Sequence, residues 1–596
     1  MSYVSHLVAK TLSFRWLYFF YKKNIIYYTF MLKYDIIKTW RSRKNDAKRQ
    51  WRTSISRVKK GEYLSIGVPR PDNKGFVYRL GYGYLHELKQ YHDDPLTIIK
   101  AIIANFPLSW TKEQARTKLD EIIKEKKETK KEVLERFKGY EVVEKLFDYF
   151  NIFNDCSPTK STTLKDVVLQ LIYQRIKNPI SVFNTYMTAK KEKIDTYSKN
   201  SFYRSLDYIA KNKDEILRNL NAKICANTNR KIDVLWFDAT TTYFETFSRE
   251  GYKKPGYSKD GKFKEDQIVI GMATDKNEIP LHYKIFPGNV TDSNTFIPFM
   301  LEIADIYEVN SVTIIADKGM SVNRNIRFLE SKNWKYIISY RMKAGSKQFK
   351  EYVLDEKDYV NDGGLIYKTR DIASSYNKKR INGHFRRQII SFSQKRATKD
   401  KNDRDILIQN FTKKMNKDNL VSCDDLAGSK KYRFFKPINK GAFYELDIEK
   451  IQEDQKYDGY YVYETNRTDL SVKEVINLYS KQWQIESNFK TLKGKLSLRP
   501  MYLSTWNHIV GYICLCFISL VFLNYIIYIL NSKLGLTGKS KITEHKVINV
   551  IKEVKEIEVF VNKQKIETIQ VYNDELQESW QTYQILLELL TKEKVT

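Results

Sequence analysis

Two aspartates each close a short apolar run: Asp238 follows Val234-Leu235-Trp236-Phe237, and Asp317 follows Val312-Thr313-Ile314-Ile315-Ala316. A carboxylate at the tip of a buried strand is costly to desolvate as an anion unless something positive compensates it, and a divalent cation is one such partner. The same side chains can equally cap the turn or helix that follows. A third acid lies far downstream, in Tyr479-x2-Gln482-x3-Glu486-x6-Lys493. The capping box Ser471-Val-Lys-Glu474 predicts a helix from Ser471 to Gly494, on which these four side chains fall within about 60° of one another at 100° per residue. Trp483, Phe489 and Leu492 fall elsewhere and are left to pack. A stripe of tyrosine, amide, carboxylate and lysine reads either as a wet helix face or as an acid among phosphate-binding donors, the set that metal-assisted phosphoryl transfer needs. Lys318, directly after Asp317, is a further candidate phosphate contact, and Glu245, seven residues after Asp238, is a competing carboxylate that is rejected in favour of the aspartate.

Strands must position the aspartates. The runs 232–238 (IDVLWFD), 267–274 (QIVIGMAT), 281–286 (LHYKIF) and 311–317 (SVTIIAD) are β-branched and aromatic, with a helix expected at about 294–307, an α/β mixture. A β-leaning, Lys-rich stretch over 336–465 is too long for a loop and predicts an inserted sheet. Residues 110–150 and 161–222 carry apolar residues at helical spacing and suit a helical DNA-binding region, although other bundles share the pattern. The segment Trp40–Arg52 holds six basic residues, five of them between its two tryptophans, as a phosphate-contacting arm or a solvated helix face would.

The balance of 103 Lys+Arg against 71 Asp+Glu gives a formal net charge of +32, which favours a polyanionic partner such as nucleic acid. Five scattered cysteines with no CxxC pair argue against a disulfide framework, and seven histidines without HExxH argue against a zinc site. A mean hydropathy of −0.53 excludes a polytopic membrane protein. Residues 13–32 carry Lys22 and Lys23 at their centre and make a poor span, whereas 509–530 is apolar throughout and long enough to cross a bilayer.

The spacing Tyr479-x2-Gln482-x3-Glu486-x6-Lys493 resembles the Y-x2-R-x3-E-x6-K signature of a branch of the bacterial insertion-sequence transposases of the DDE type, with Gln482 standing where the family has arginine. WFDATTTYFE around Asp238, PGNVTDSNTF (287–296), IIADKGM around Asp317 and DGYYVYETN (458–466) occur in family order, and the resemblance covers about 231–531. It implies a ribonuclease-H-like α/β catalytic core interrupted by a mainly β insertion, with a helical N-terminal DNA-binding region. The implied divisions are a possible upstream extension (1–30, ahead of Met31), a basic N-terminal region (31–150), a helical DNA-binding region (151–230), the core's first part (231–335), the insertion (336–465), the core's second part (466–535) and a C-terminal region (536–596). By the same resemblance Asp238, Asp317 and Glu486 hold two Mg²⁺ ions, with Mn²⁺ able to substitute, while Tyr479, Gln482, Lys493 and Lys318 contact DNA. The implied partners are double-stranded DNA, as element ends and target, and a second copy on paired ends. A bacterial cytoplasmic, nucleoid-associated protein is implied, with no membrane partner and 509–530 as a buried core helix. The other expectations are a transposase-derived DNA-binding protein with a damaged site, for which Gln482 argues, and a membrane-anchored basic protein.

Overall fold

The computed structural model describes residues 50–592 apart from 73, 90, 92–93, 124–130, 154–157, 192–196, 229, 246–248, 258–264, 377–378, 414, 423–433, 439–441, 500, 562–563 and 574–575. Segment 13–32, most of Trp40–Arg52, Cys156 and Cys423 therefore lie outside the described residues. The chain divides into two units, one formed by residues up to Lys138 with Glu553–Gln584 and the other by Gly139–Lys552 with Ile585–Thr596.

In the smaller unit, strands Arg52–Val58, Gly61–Pro69 and Phe76–Tyr84 form an antiparallel meander. Leu64, Ile66 and Val68 bury against Ile99, Ile103 and Leu119 of the helices Pro95–Ile103 and Lys112–Ile123. A second sheet pairs Lys131–Phe137 with Lys555–Val561 and that strand with Gln564–Gln570. The strand at 131–137 departs from the helix expected over 110–150. Its pairing of Val133 with Val559 brings in a partner from near the other end of the sequence, which no local pattern can reveal.

The larger unit is built on a nine-stranded sheet. Its first strands are β1 (Val234–Tyr243), β2 (Gln267–Thr274) and β3 (Pro280–Pro287), an antiparallel meander. Helix α1 (Asp292–Tyr307) leads to β4 (Thr313–Ala316), parallel to β1, and α2 (Asn323–Ser331) leads to β5 (Lys335–Ser339), parallel to β4. Thus β3-β2-β1-β4-β5 are neighbours in that order, the arrangement of a mixed sheet consistent with a ribonuclease-H-like core. The sheet continues through β6 (Val360–Asp362), β7 (Leu365–Tyr376), β8 (Lys379–Phe392) and β9 (Tyr460–Thr465), with β9 antiparallel to β5 and β8 antiparallel to β9. The stretch 336–465 therefore extends the main sheet and also forms a separate three-stranded one, Val421–Ser422 and Phe435–Ile438 on either side of Phe443–Leu446, and it is mixed, holding helices Lys347–Leu354, Gln394–Thr412 and Ile448–Gln455. The helix at 394–412 is mostly polar, with eight charged residues from Lys395 to Asp405. Ser393 caps it and Phe411 is its buried anchor.

Two helices follow β9, α3 (Val472–Ser480) and α4 (Trp483–Lys490), and then α5 (Trp506–Leu534). The last contains the bilayer-length apolar run, yet 83% of its most apolar stretch is buried within the protein. It packs on the helices Pro158–Lys177 and Lys199–Lys211 and on β3, where Phe517 lies 4.8 Å from Tyr283 between ring centres. Gly511 permits that approach, because a Cβ there would sit 2.1 Å from the Leu206 carbonyl oxygen. Cys514 and Cys516 are fully buried, and burial pushes their thiols up to about 12 and about 11.

Candidate active site

Alternation along a strand assigns its side chains to faces. Leu235, Phe237 and Ala239 of β1 bury among Phe296, Phe299 and Met300 of α1, which leaves Trp236 and Asp238 to the opposite face. On that face the Trp236 indole N–H donates to the Leu478 carbonyl of α3 at 3.0 Å. On β4, Ile314 and Ala316 join the α1 cluster, so Ile315 and the following Asp317 fall to the α3 side by the same rule. Phe237 pairs with Ala316 as the last parallel pair, and the two aspartates come next on adjacent strands, which lie about 4.8 Å apart.

Asp238 is not at a strand tip. β1 runs on to Tyr243, paired with β2 alone beyond the end of β4, and the β-branched Thr240, Thr241 and Thr242 sustain it. The exposed Glu245 lies past its end. Asp238 and Asp317 are both half-buried. Asp238 Oδ1 accepts from the Ala239 amide at 2.7 Å, and Asp317 Oδ1 accepts from the Gly319 amide at the same distance. A Cβ at Gly319 would stand 2.8 Å from that Asp317 oxygen, so glycine is what lets the loop fold back on the carboxylate.

The helix expected from Ser471 to Gly494 is broken. The capping box forms as read, with the Glu474 amide on Ser471 Oγ at 3.3 Å and the Ser471 amide on Glu474 Oε2 at 2.8 Å. Three-residue hydrogen bonds then tighten the chain between α3 and α4: Gln482 N donates to Tyr479 O and Gln484 N to Lys481 O, at 2.9 and 3.0 Å. After α4 the chain slackens into a π turn over Thr491–Lys495 that carries the half-buried Lys493. A uniform 100° advance from Tyr479 to Lys493 therefore does not hold. Trp483, expected to pack, is 56% exposed, while Phe489 and Leu492 are buried.

Gln482 is 6% exposed, and its Nε2 donates to the Phe237 carbonyl at 3.2 Å, next to Asp238, while its Oε1 is buried without a partner. Asn488 donates to Thr274 Oγ1 at 3.3 Å and to the Glu278 carbonyl at 3.1 Å, so α4 is held from β1 to the end of β2. Glu486 lies on α4 one turn beyond Gln482, about 6 Å along the axis, and is exposed. Tyr479 accepts from the Tyr461 hydroxyl at 2.9 Å and packs edge-on to Tyr463. Burial above all, with Tyr461 and the Asp317 charge adding to it, raises its pKa far beyond the ordinary phenol range and keeps it neutral. Lys318 is exposed. Its carbonyl and that of Gly319 accept from Arg341, at 2.9 and 3.3 Å. Arg341 and Tyr461 were not singled out from the sequence, where nothing but their place next to β5 and on β9 distinguishes them from other arginines and tyrosines.

Among the described residues, no three His, Cys, Asp or Glu side chains stand grouped to hold a metal ion. Asp238 and Asp317 nonetheless offer hard oxygen donors on neighbouring strands, which suits Mg²⁺, an ion usually held by one or two carboxylates with water and substrate phosphate completing its shell. Residues 229–522 match the family model described as a transposase DDE domain. That match supports a DDE-type transposase. The matched segment begins just ahead of β1 and ends within α5, so it takes in both aspartates and Glu486. No curated protein sequence matches the chain. Solved structures similar to it include a piggyBac transposase synaptic complex with hairpin DNA, at 10% identity and a TM-score of 0.35, covering 70% of this chain and 78% of that one. Another is a Mos1 transposase paired-end complex with left transposon end, at 9% identity and a TM-score of 0.14, covering 26% and 58%.

Proposed function

We propose that the protein is a transposase of an insertion sequence that binds the terminal inverted repeats of its element and cuts and joins DNA in a divalent-metal-dependent reaction. Asp238, Asp317 and Glu486 are the acids of that reaction, and Mg²⁺ is the ion, with Mn²⁺ as a substitute. The observation that carries the reading is the register of Phe237 on Ala316, within the matched domain, which sets two acids side by side on the face that α3 and α4 cover. When bound, the metal supplies charge to activate the attacking oxygen and stabilise the leaving one at phosphorus. The chain's own part is positioning. Gln482 and Trp236 pin α3 and α4 over β1, and the Gly319 amide orients the Asp317 carboxylate. The neutral Tyr479 hydroxyl and the ammonium groups of Lys318 and Lys493 hold DNA phosphates. Gln482 acts in this reading by placing the helix, with its amide turned to the protein's own backbone. The protein works in the bacterial cytoplasm as a homodimer on paired ends, and the helices of 151–230 take part in binding the ends.

Asp238→Asn, Asp317→Asn and Glu486→Gln should each abolish release of a 3′-hydroxyl from end-labelled element-end DNA in Mg²⁺, while end binding in a gel-shift assay is retained. Cleavage surviving in any one of the three removes that residue from the set. A second reading, an end-binding protein that does not cut, is favoured by the glutamine at position 482, where the matching signature has arginine, and by the lack of a ready three-acid group among the described residues. Wild-type protein that shifts the ends yet yields no 3′-hydroxyl in Mg²⁺ or Mn²⁺ would select it.

A further inference from the structure

A cavity of about 500 Å³ opens where Ser497, Tyr502 and Leu503, with Tyr512 of α5, meet the helix Pro158–Lys177 and the start of the helix Val182–Lys191. We propose that it binds one unpaired nucleotide of a DNA strand, with the phosphate between Arg175 and the helix start at Val182 and the base on the aromatic rim. The inference rests on the DNA-handling reading above and adds a subsite whose lining includes none of Asp238, Asp317 and Glu486.

Arg175 carries the argument. It lines the cavity and is only 2% exposed. Its partners are two carbonyls, Ile180 O at 2.8 Å and Leu496 O at 3.4 Å, and the face of Tyr512 at 4.6 Å. Its Nε is buried with no hydrogen-bond partner. Dipoles and a ring offset part of the cost of burying a guanidinium, but no carboxylate faces it among the described residues, and its full charge is left for an anion to match. The helix Val182–Lys191 begins at the same cavity. Ser181 Oγ accepts from the Asn184 amide at 3.1 Å, which leaves the amides of Val182 and Phe183 without partners inside the helix and the positive end of its dipole on the cavity.

The rim selects among anions. Tyr502 is 69% exposed and Phe183 44% exposed, and Tyr203 completes the wall. Exposed rings beside a phosphate-sized positive pocket are the pairing used for single-stranded nucleic acid, where bases stack on aromatics and the backbone follows charge. The volume is that of a small-ligand site and admits one nucleotide, not a duplex with its bases stacked away. Ser497, which lines the cavity, lies two residues past the π turn bearing Lys493.

The test uses the full chain and fluorescence anisotropy with a labelled oligothymidylate of about twelve nucleotides and a blunt duplex of equal length. Tyr502→Ala and Phe183→Ala remove exposed rings and so spare the core. Each should lower the ratio of single-strand to duplex affinity by about 5-fold or more. Arg175→Lys should keep more of that ratio than Arg175→Met, at equal melting temperature. An unchanged ratio in both ring variants overturns the proposal. So does thymidine monophosphate binding in the wild type, lost in the ring variants, without any strand binding, which would make the occupant a free nucleotide. Strand binding that depends on the rings in a protein that cleaves no element end would leave the cavity assignment standing and sink the transposase reading instead.

Discussion

Gln482 offers a test in which two nearly isosteric substitutions should behave in opposite ways. Changing it to methionine removes the hydrogen bond to the Phe237 carbonyl, a net contribution of about 1 kcal/mol. The same change also removes Oε1, a buried acceptor with no partner that costs the native fold about 1–3 kcal/mol. The two effects oppose each other, and Gln482→Met should alter stability by no more than about 1 kcal/mol, a shift in melting temperature of roughly 2–4 °C. Gln482→Glu keeps the shape but sets a carboxylate oxygen against a carbonyl oxygen, almost out of water and close to Asp238. At pH 7 that should cost roughly 3 kcal/mol or more. Its carboxyl would titrate above the free value of about 4.3 in the folded state. A group with a raised folded pKa contributes stability below its unfolded pKa and loses it as pH rises, so the deficit of Gln482→Glu relative to wild type should shrink between pH 7 and pH 4.5. Thermal unfolding followed by tryptophan fluorescence, with wild type measured at each pH, reads all of this, and strand cleavage should fall in both variants because α4 loses its tie to β1. Equal destabilisation by the two substitutions, or a glutamate deficit that does not change with pH, would refute the role given to this amide.

Two further outcomes follow from the packing of the larger unit. Gly511→Ala should destabilise the protein by about 1–3 kcal/mol, even though alanine is favoured over glycine in a helix interior by about 1 kcal/mol, because its methyl would meet the Leu206 carbonyl at 2.1 Å; a raised denaturation midpoint would show that α5 is not seated there. Burial holds the His282 imidazole below its ordinary 6.5, against the opposing pull of its Glu302 partner, while Glu302 itself is brought down to about 2 because hydrogen bonds from His282 and Lys284 outweigh its burial. A histidine with a lowered folded pKa is protonated more readily when unfolded, so stability should fall as pH drops below about 6.5, and the Glu302 contribution should follow between about 4.5 and 2. Melting temperatures of wild type and His282→Gln from pH 7.5 to 5.5 check the first step, which the substitution should flatten.

The elements legible in the sequence are those whose pattern is local. The runs ending in Asp238, Thr274, Phe286 and Asp317 are strands, and the helix expected near 294–307 spans Asp292–Tyr307, because each is a short apolar block or a periodic one bounded by turn residues. What escaped was set at a distance. The strand Lys131–Phe137 exists through its pairing with Lys555–Val561, and the helix Gln394–Thr412 confines its apolar contacts, Leu407, Ile408 and Phe411, to its last turns after a largely charged first half. The extent of β1 past Asp238 also depends on β2 lying beside it, so the same residue that reads as a strand tip becomes a mid-strand residue once its neighbour is in place.

The candidate site divides along the same line. That Asp238 and Asp317 follow comparable runs was visible in the sequence, but that they fall on one face and at one level required the partition of Leu235, Phe237, Ile314 and Ala316 into the α1 cluster together with the parallel register of β1 on β4. The stripe drawn through Tyr479, Gln482, Glu486 and Lys493 assumed an unbroken helix, whereas the chain tightens at Lys481–Gln482 and loosens at Thr491–Lys495. Those two irregularities separate the roles of the four side chains. Gln482 turns inward to the Phe237 carbonyl, Tyr479 is enclosed by Tyr461 and Tyr463 in reach of the Asp317 charge, and Glu486 remains exposed one turn further on. A straight helix would move these groups together as one face. A helix with a tight joint at one end and a π turn at the other lets Tyr479 before it and Lys493 after it be set independently of Gln482 and Glu486, which share its regular turn, and irregularities of this kind recur where function demands such a separation.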